Sequence, residues 1–152
     1  MLDSDINYFM SEALNMAYLA FKNNEVPVGT IIVKGGKIIG KGSNQVIHNN
    51  SVSSHAEINA IIDAGQTLKN YRLVNCDIYV TLEPCHMCAK AIVDARMKSL
   101  YFGAQEPKTG AVESIDSFLN RKDINHQVSY SGGYLKDDCS ELLKNFFKSR
   151  RD

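Results

Sequence analysis

Two short stretches, Ser54-His55-Ala56-Glu57 and Leu82-Glu83-Pro84-Cys85-His86-Met87-Cys88, constrain this chain more than anything else in it. Each carries half of a donor set. A catalytic zinc keeps three protein ligands and a fourth position for water, and His55, Cys85 and Cys88 supply that count. Cys85 and Cys88 are three residues apart, so at the start of a helix their side chains share a face while His86 projects elsewhere. A helix N-terminus also lowers the cost of holding two thiolates. With a divalent ion the two thiolate charges cancel, His55 stays neutral, and a bound water is free to ionise. Any fold of this chain must therefore bring residue 55 to residues 85 and 88.

Taken singly, each half has a plainer meaning. Glu57 completes a Ser54-x-x-Glu57 capping box, worth on the order of 1 kcal/mol to a helix. A lone Cys-x-x-Cys also suits a redox pair or half of a structural zinc site, and a lone His55 suits a satisfied helix histidine. The joint pattern favours the metal. Compartment supports it: the N-terminus carries Asp3 and Asp5 where a secretory signal needs base, and no apolar run approaches the roughly 20 residues that span a membrane. A cytoplasmic location follows, in which closely spaced thiols stay reduced and suggest a metal. The other cysteines, Cys76 and Cys139, are not spaced to complete a four-cysteine site and read as small buried apolar residues. His48, His86 and His126 read as loop or surface histidines, with the extra histidine at 86 keeping a swap of metal ligand open.

At 152 residues, with 44% hydrophobic and 22% charged residues, the chain 1–152 is expected to form one domain. Lys plus Arg equals Asp plus Glu at 17 each, so any nucleic-acid contact must rest on a local patch rather than a global field. Ile6, Phe9, Met10, Ala13, Leu14, Ala17 and Phe21 predict an amphipathic helix over 6–22. Residues 28–33 and 38–39, split by Gly35-Gly36, predict a hairpin. Residues 43–53 read as a loop, followed by a helix over 55–64 with Ser54 as N-cap and Gly65 as its stop. Residues 76–82 predict a buried strand, and Pro84 sits where a first helical turn tolerates it. Further elements are a strand over 99–102, a turn at 107–110, a helix over 112–119, a short strand over 128–130 and an amphipathic helix over 137–150. Strands alternating with helices imply an α/β sandwich with helices on both sheet faces.

The pairing of His-x-Glu with Pro-Cys-x-x-Cys resembles the signature of zinc-dependent nucleobase deaminases. The metal signature alone places the chain only in that wide superfamily. Further matches run along nearly the whole chain, at Glu25-Val26-Pro27-Val28-Gly29, Asn70-Tyr71-Arg72-Leu73, Tyr79-Val80-Thr81-Leu82, Gly103-Ala104, Lys108-Thr109-Gly110, Asn125-His126 and Phe146-Phe147. The Tyr-Arg segment, the Lys-Thr-Gly turn and the Phe-Phe tail narrow the resemblance to the bacterial tRNA-specific adenosine deaminases.

That resemblance implies a cytidine-deaminase-like, three-layer α/β/α sandwich with a central five-stranded mixed sheet, one zinc per subunit, no organic cofactor and a homodimer. It implies conversion of adenosine to inosine at the wobble position of a tRNA anticodon stem-loop, with Glu57 moving protons from water to N1 and then to the departing ammonia. Asn44 matches a nucleoside-binding asparagine, although a turn residue after the hairpin reads equally well. Val28 and Ala56 match pocket positions, and Glu106 stands where the family has an aspartate near the anticodon loop. Phe146 matches a tail aromatic that contacts neighbouring nucleotides; either Phe also suits the core. Lys144, Lys148, Arg150 and Arg151 suit phosphates, or simply the negative end of the last helix. Residues 51–54 and Glu106 depart from the family pattern and bear on substrate preference. Two rival readings remain: an enzyme of this fold acting on a free base or nucleoside such as guanine or cytosine, and a zinc-stabilised RNA-binding subunit without catalysis.

Overall fold

The computed structural model describes residues 2–151. Its first helix, α1 (Asp3–Lys22), starts ahead of the apolar stripe, with Asp3 and Asp5 in the first turn, where acid favours the helix dipole. The hairpin follows as β1 (Gly29–Lys34) and β2 (Lys37–Ser43). Gly35 and Gly36 turn it with φ of +57° and +77°, the left-handed pair that a two-residue hairpin requires.

α2 (Ala56–Leu68), β3 (Cys76–Leu82), α3 (His86–Asp94), β4 (Ser99–Ala104), β5 (Ser129–Gly132) and α4 (Lys136–Arg151) complete the chain. The sheet order is β2-β1-β3-β4-β5, antiparallel between β1 and both its neighbours and parallel from β3 to β5. This is the five-stranded mixed sheet the resemblance implies. Side-chain alternation divides its faces: Ile32, Ile78, Val80, Leu100 and Phe102 join the core under α2 and α3, while Ile31, Val33 and Tyr79 join the core under α1. α4 packs beside α1 through Cys139 and Leu142, which completes the third layer. Cys76 and Cys139 are both buried, as small apolar residues. Among the described residues no helix is long and apolar enough to cross a membrane.

Three local expectations change. The helix expected over 112–119 is a series of turns ending in one 3₁₀ turn, Phe118–Asn120, because the amides of residues 112–114 are bonded to a distant carboxylate, described below. Ser54 is not the N-cap of α2: that position is His55, and the Ser54 hydroxyl donates to Asn59 and accepts from Asn49 instead. Nor does Gly65 stop α2, which continues to Leu68 and ends with Lys69 in the left-handed region. Extending the helix packs Leu68 against the core, which outweighs the roughly 1 kcal/mol that an interior glycine costs. Pro84 lies just outside α3, whose N-cap is Cys85.

The site depends on how closely α2 lies on β2. Ala56, Ala60 and Ala64 form a fully buried stripe at i, i+4 spacing, facing Gly40 and Gly42 of the strand. A Cβ on Gly40 would stand 2.7 Å from the Ala60 carbonyl, and one on Gly42 would run into the backbone of Ala56 and Ala60. Small residues on both sides seat the first turn of α2, with His55 and Glu57, at the edge of the sheet. Gly42→Ala is expected to lower stability by about 1–3 kcal/mol, as overpacking does, read from the midpoint of urea unfolding.

Candidate metal and active site

Two helix N-termini meet here. His55 caps α2, Cys85 caps α3, and Cys88 sits one turn into α3. His55 Nδ1 lies 3.7 Å from Cys85 Sγ and 3.5 Å from Cys88 Sγ, and all three donor atoms fall within 4.8 Å of one another. Tetrahedral zinc with ordinary Zn–S and Zn–N bonds separates its sulfur and nitrogen ligands by roughly 3.6 Å. The donors thus stand at ligand spacing, and their chemistry, two sulfurs and one imidazole, suits zinc among the common divalent ions.

Electrostatics agree with that fit. The Cys88 thiol donates to Cys85, which holds the Cys85 thiol down at about 3, and His55 lowers it further. Cys88 is pushed far up, first by the same shared proton and then by burial. His55 is raised, chiefly by its bond to Cys85. The three groups thus share protons among themselves, and a bound cation would take the place of those protons.

Glu57 does not tie off the helix. Its carboxylate turns inward beside Cys88, 4% exposed, and burial pushes it up to about 7 against the opposing pull of its own backbone amide and His55. The N-terminal amide of α2 is capped from elsewhere: Ala56 N–H donates to Asn44 Oδ1 at 2.9 Å.

A cavity of about 170 Å³ opens on this cluster, with His55, Glu57 and Cys85 at its polar end and Val26, Val28 and Leu82 as apolar walls. Asn44 and Thr109 flank it. It is small beside the roughly 300–1,000 Å³ of drug-sized pockets, and is on the scale of one heterocyclic base. Val28 and Asn44 both line this cavity. Ala56 is fully buried behind the wall and contributes its N–H to Asn44. Glu106 lies on the neighbouring loop, its N–H bonded to Glu83 and its carboxylate to Lys108 N–H, and does not line the cavity. His86 turns to Asp116 at 2.7 Å and lies outside the donor cluster.

Phe146 is 6% exposed, packed edge-on to Phe21 at 5.8 Å, because it continues the buried α4 stripe of Cys139 and Leu142. Phe147, one position round the helix, is 47% exposed and lines a separate groove with Lys108, Leu143 and Lys144. The Arg150 guanidinium lies 4.7 Å from the Phe146 ring centroid, and the Arg151 side chain falls outside the described residues.

Two buried acids were not singled out from the sequence, where the available signal was a charged residue at the lip of an apolar strand. Glu25 accepts from the amides of Ile47 and His48, at 3.1 and 2.8 Å, and from the His48 ring at 2.8 Å. Glu83 accepts from the amides of Glu106, Val112, Glu113 and Ser114 and from the Ser114 hydroxyl. Burial alone would raise both carboxyls, yet these donors outweigh it and hold them below their ordinary value.

Comparison with known proteins bears on the whole arrangement. Residues 4–151 match the model of the MafB19-like deaminase family. The tRNA-specific adenosine deaminase of Rickettsia bellii is 46% identical over 145 residues, covering 94% of this chain and 100% of that protein. That of Buchnera aphidicola subsp. Schizaphis graminum is 43% identical over 148 residues, 95% of each. A solved structure from work on A-to-I editing by tRNA:A34 deaminases superposes with a TM-score of 0.87 at 42% identity, over 90% of this chain and 99% of that one. The guanine deaminase of Nitrosomonas europaea shares the fold, with a TM-score of 0.77 at 21% identity over 92% of this chain and 83% of that one. With two helix N-termini presenting His55, Cys85 and Cys88 beside a buried glutamate, and relatives alike along nearly their full length, the chain belongs to the tRNA-specific adenosine deaminase family of the deaminases.

Proposed function

We propose that the protein hydrolyses adenosine to inosine, with release of ammonia, at the wobble position of a tRNA anticodon. The observation that carries the chemistry is Glu57, a buried carboxylate with a raised pKa directly beside the His55, Cys85 and Cys88 donors. Those three residues would hold one zinc per subunit, and bound zinc supplies the Lewis acidity that makes a water nucleophile available at neutral pH. Glu57 takes a proton from the attacking water and delivers it to N1 of the purine, then takes the proton of the hydroxyl added at C6 and passes it to the exocyclic nitrogen, which leaves as ammonia as the C6 carbonyl forms. One carboxylate suffices because each proton it accepts is returned.

Asn44 keeps Oδ1 on Ala56 and so offers Nδ2 to the nucleoside. Val28 packs on the base, and Ala56 supports the wall from behind. The RNA substrate is supported by the relatives' names and by the groove of Lys108, Leu143, Lys144 and Phe147, which pairs cations for phosphate with a ring for stacking. Phe146 backs that ring at 5.5 Å, and Glu106 orders the adjoining turn through Lys108. An anticodon loop suits a small recessed cavity, since an unpaired base is cheaper to splay out than a paired one. A single domain, a homodimer, the absence of an organic cofactor and a cytoplasmic location complete this reading.

The deciding assay is detection of inosine in an anticodon stem-loop with adenosine at the wobble position, with ammonia release from free guanine, cytosine and cytidine followed in parallel. Turnover of a free base alone would move the protein to the small-molecule branch. Glu57→Ala is expected to lower deamination by at least about 10²-fold while zinc and RNA stay bound. Retained turnover would assign the proton transfers elsewhere. His55→Ala, Cys85→Ala and Cys88→Ala are each expected to reduce zinc content and activity, and full occupancy by elemental analysis in all three would remove the ligand assignment.

A further inference from the structure

The segment after β4 has no regular structure until the 3₁₀ turn at Phe118, yet it brings Thr109 to the cavity wall. Its backbone makes turn bonds of its own, from Gly110 N–H to Glu106 O and from Ile115 N–H to Gly110 O, and Ala111 N–H reaches Pro84 O. One side chain gathers the amides that these leave over: Glu83 Oε1 accepts from Glu106 N–H at 3.0 Å, and Oε2 from the amides of Val112, Glu113 and Ser114 at 3.1, 2.7 and 2.9 Å. The Ser114 hydroxyl donates to Oε1 as well. The chain presses so close that a Cβ on Gly110 would collide with the Glu83 carboxyl. Meanwhile Glu83 N–H bonds to Ala104 O, so its backbone already serves the strand pairing without the side chain.

Glu83 lines the same cavity as Glu57 but is built for a different task. An ionised carboxylate has about four lone-pair sites, and five donors reach this one. None is left to receive a proton from water or base. We propose that Glu83 is a positioning residue for the substrate: by gathering residues 106–114 onto the residue two before Cys85, it sets the Thr109 wall at a fixed place relative to the metal donors and so governs how the nucleoside is seated. This rests on the deaminase reading above. The loop's register comes from Glu83, and proton transfer stays with Glu57.

The test uses the full zinc-loaded chain with Glu83→Gln and, as a milder variant, Ser114→Ala, which deletes one donor and keeps the carboxylate. Against the wobble-adenosine stem-loop, Glu83→Gln is expected to raise KM about tenfold with kcat within about threefold and zinc content unchanged, and Ser114→Ala to raise KM by less. Hydrogen exchange at the amides of residues 112–114 is expected to quicken in Glu83→Gln. A fall in kcat at unchanged KM would overturn the proposal by putting Glu83 in the chemistry. Faster exchange with wild-type KM in both variants would overturn it by making the carboxylate a brace with no bearing on substrate. Wild-type protein that leaves the stem-loop untouched would defeat the deaminase reading instead, and undisturbed protection of those amides in Glu83→Gln would defeat this one separately.

Discussion

Everything at this site depends on two helix N-termini being held face to face, so that His55 of α2 stands 3.5 Å from Cys88 of α3. Such ends repel one another, because each presents unpaired N–H groups and the positive end of a dipole. They are brought together here by packing. Ala56, Ala60 and Ala64 lie on Gly40 and Gly42, and α3 is fixed by the parallel β3–β4 connection. The resulting positive field is answered by sulfur and carboxylate, and Asn44 ties off the first amide of α2. The packing face and the metal face of α2 are therefore two sides of one constraint.

Among the described residues three glutamates are buried, Glu57 and Glu83 on the cavity wall and Glu25 apart from it, and their surroundings divide the labour among them. Glu57 is buried with little to offset desolvation, so its carboxyl rises to about 7, in the range where a group both takes and gives protons near neutrality. Glu25 and Glu83 are equally buried but surrounded by N–H and hydroxyl donors, which hold them ionised. The first has acceptor capacity to spare; the other two have spent theirs on loops. Glu25 gathers residues 47–48, and Glu83 gathers residues 106–114, whose Thr109 lines the cavity. A cavity walled mostly by loops thereby acquires fixed dimensions, which a reaction sensitive to displacements on the order of 1 Å needs.

Much of this was legible in the residues themselves. Local periodicity marked α1, the hairpin, β3, β4 and α4, because an amphipathic stripe or an alternating run needs no distant partner to declare itself. The donor triad was legible too, since two thiols and an imidazole are donors that suit zinc, and the fold brings these three within 4.8 Å of one another. Element ends were less so. The Ser54-x-x-Glu57 pattern suggested a capping box, but Ser54 serves Asn49 and Asn59 while Glu57 turns toward Cys88.

What only the tertiary structure decided was each feature set by a partner far along the chain. Residues 112–119 carry a helical apolar pattern, yet the amides of residues 112–114 go to Glu83, 29–31 positions earlier, and no local rule reports such a competitor. The exposure of Phe147 and the burial of Phe146 followed from which stripe of α4 meets Phe21 of α1. By itself the sequence determined which atoms could bind a metal and move a proton, because donor chemistry belongs to the residue type. Where those atoms stand, and which carboxylate is left free to act, was decided by the fold, because burial and hydrogen-bond partners belong to the environment.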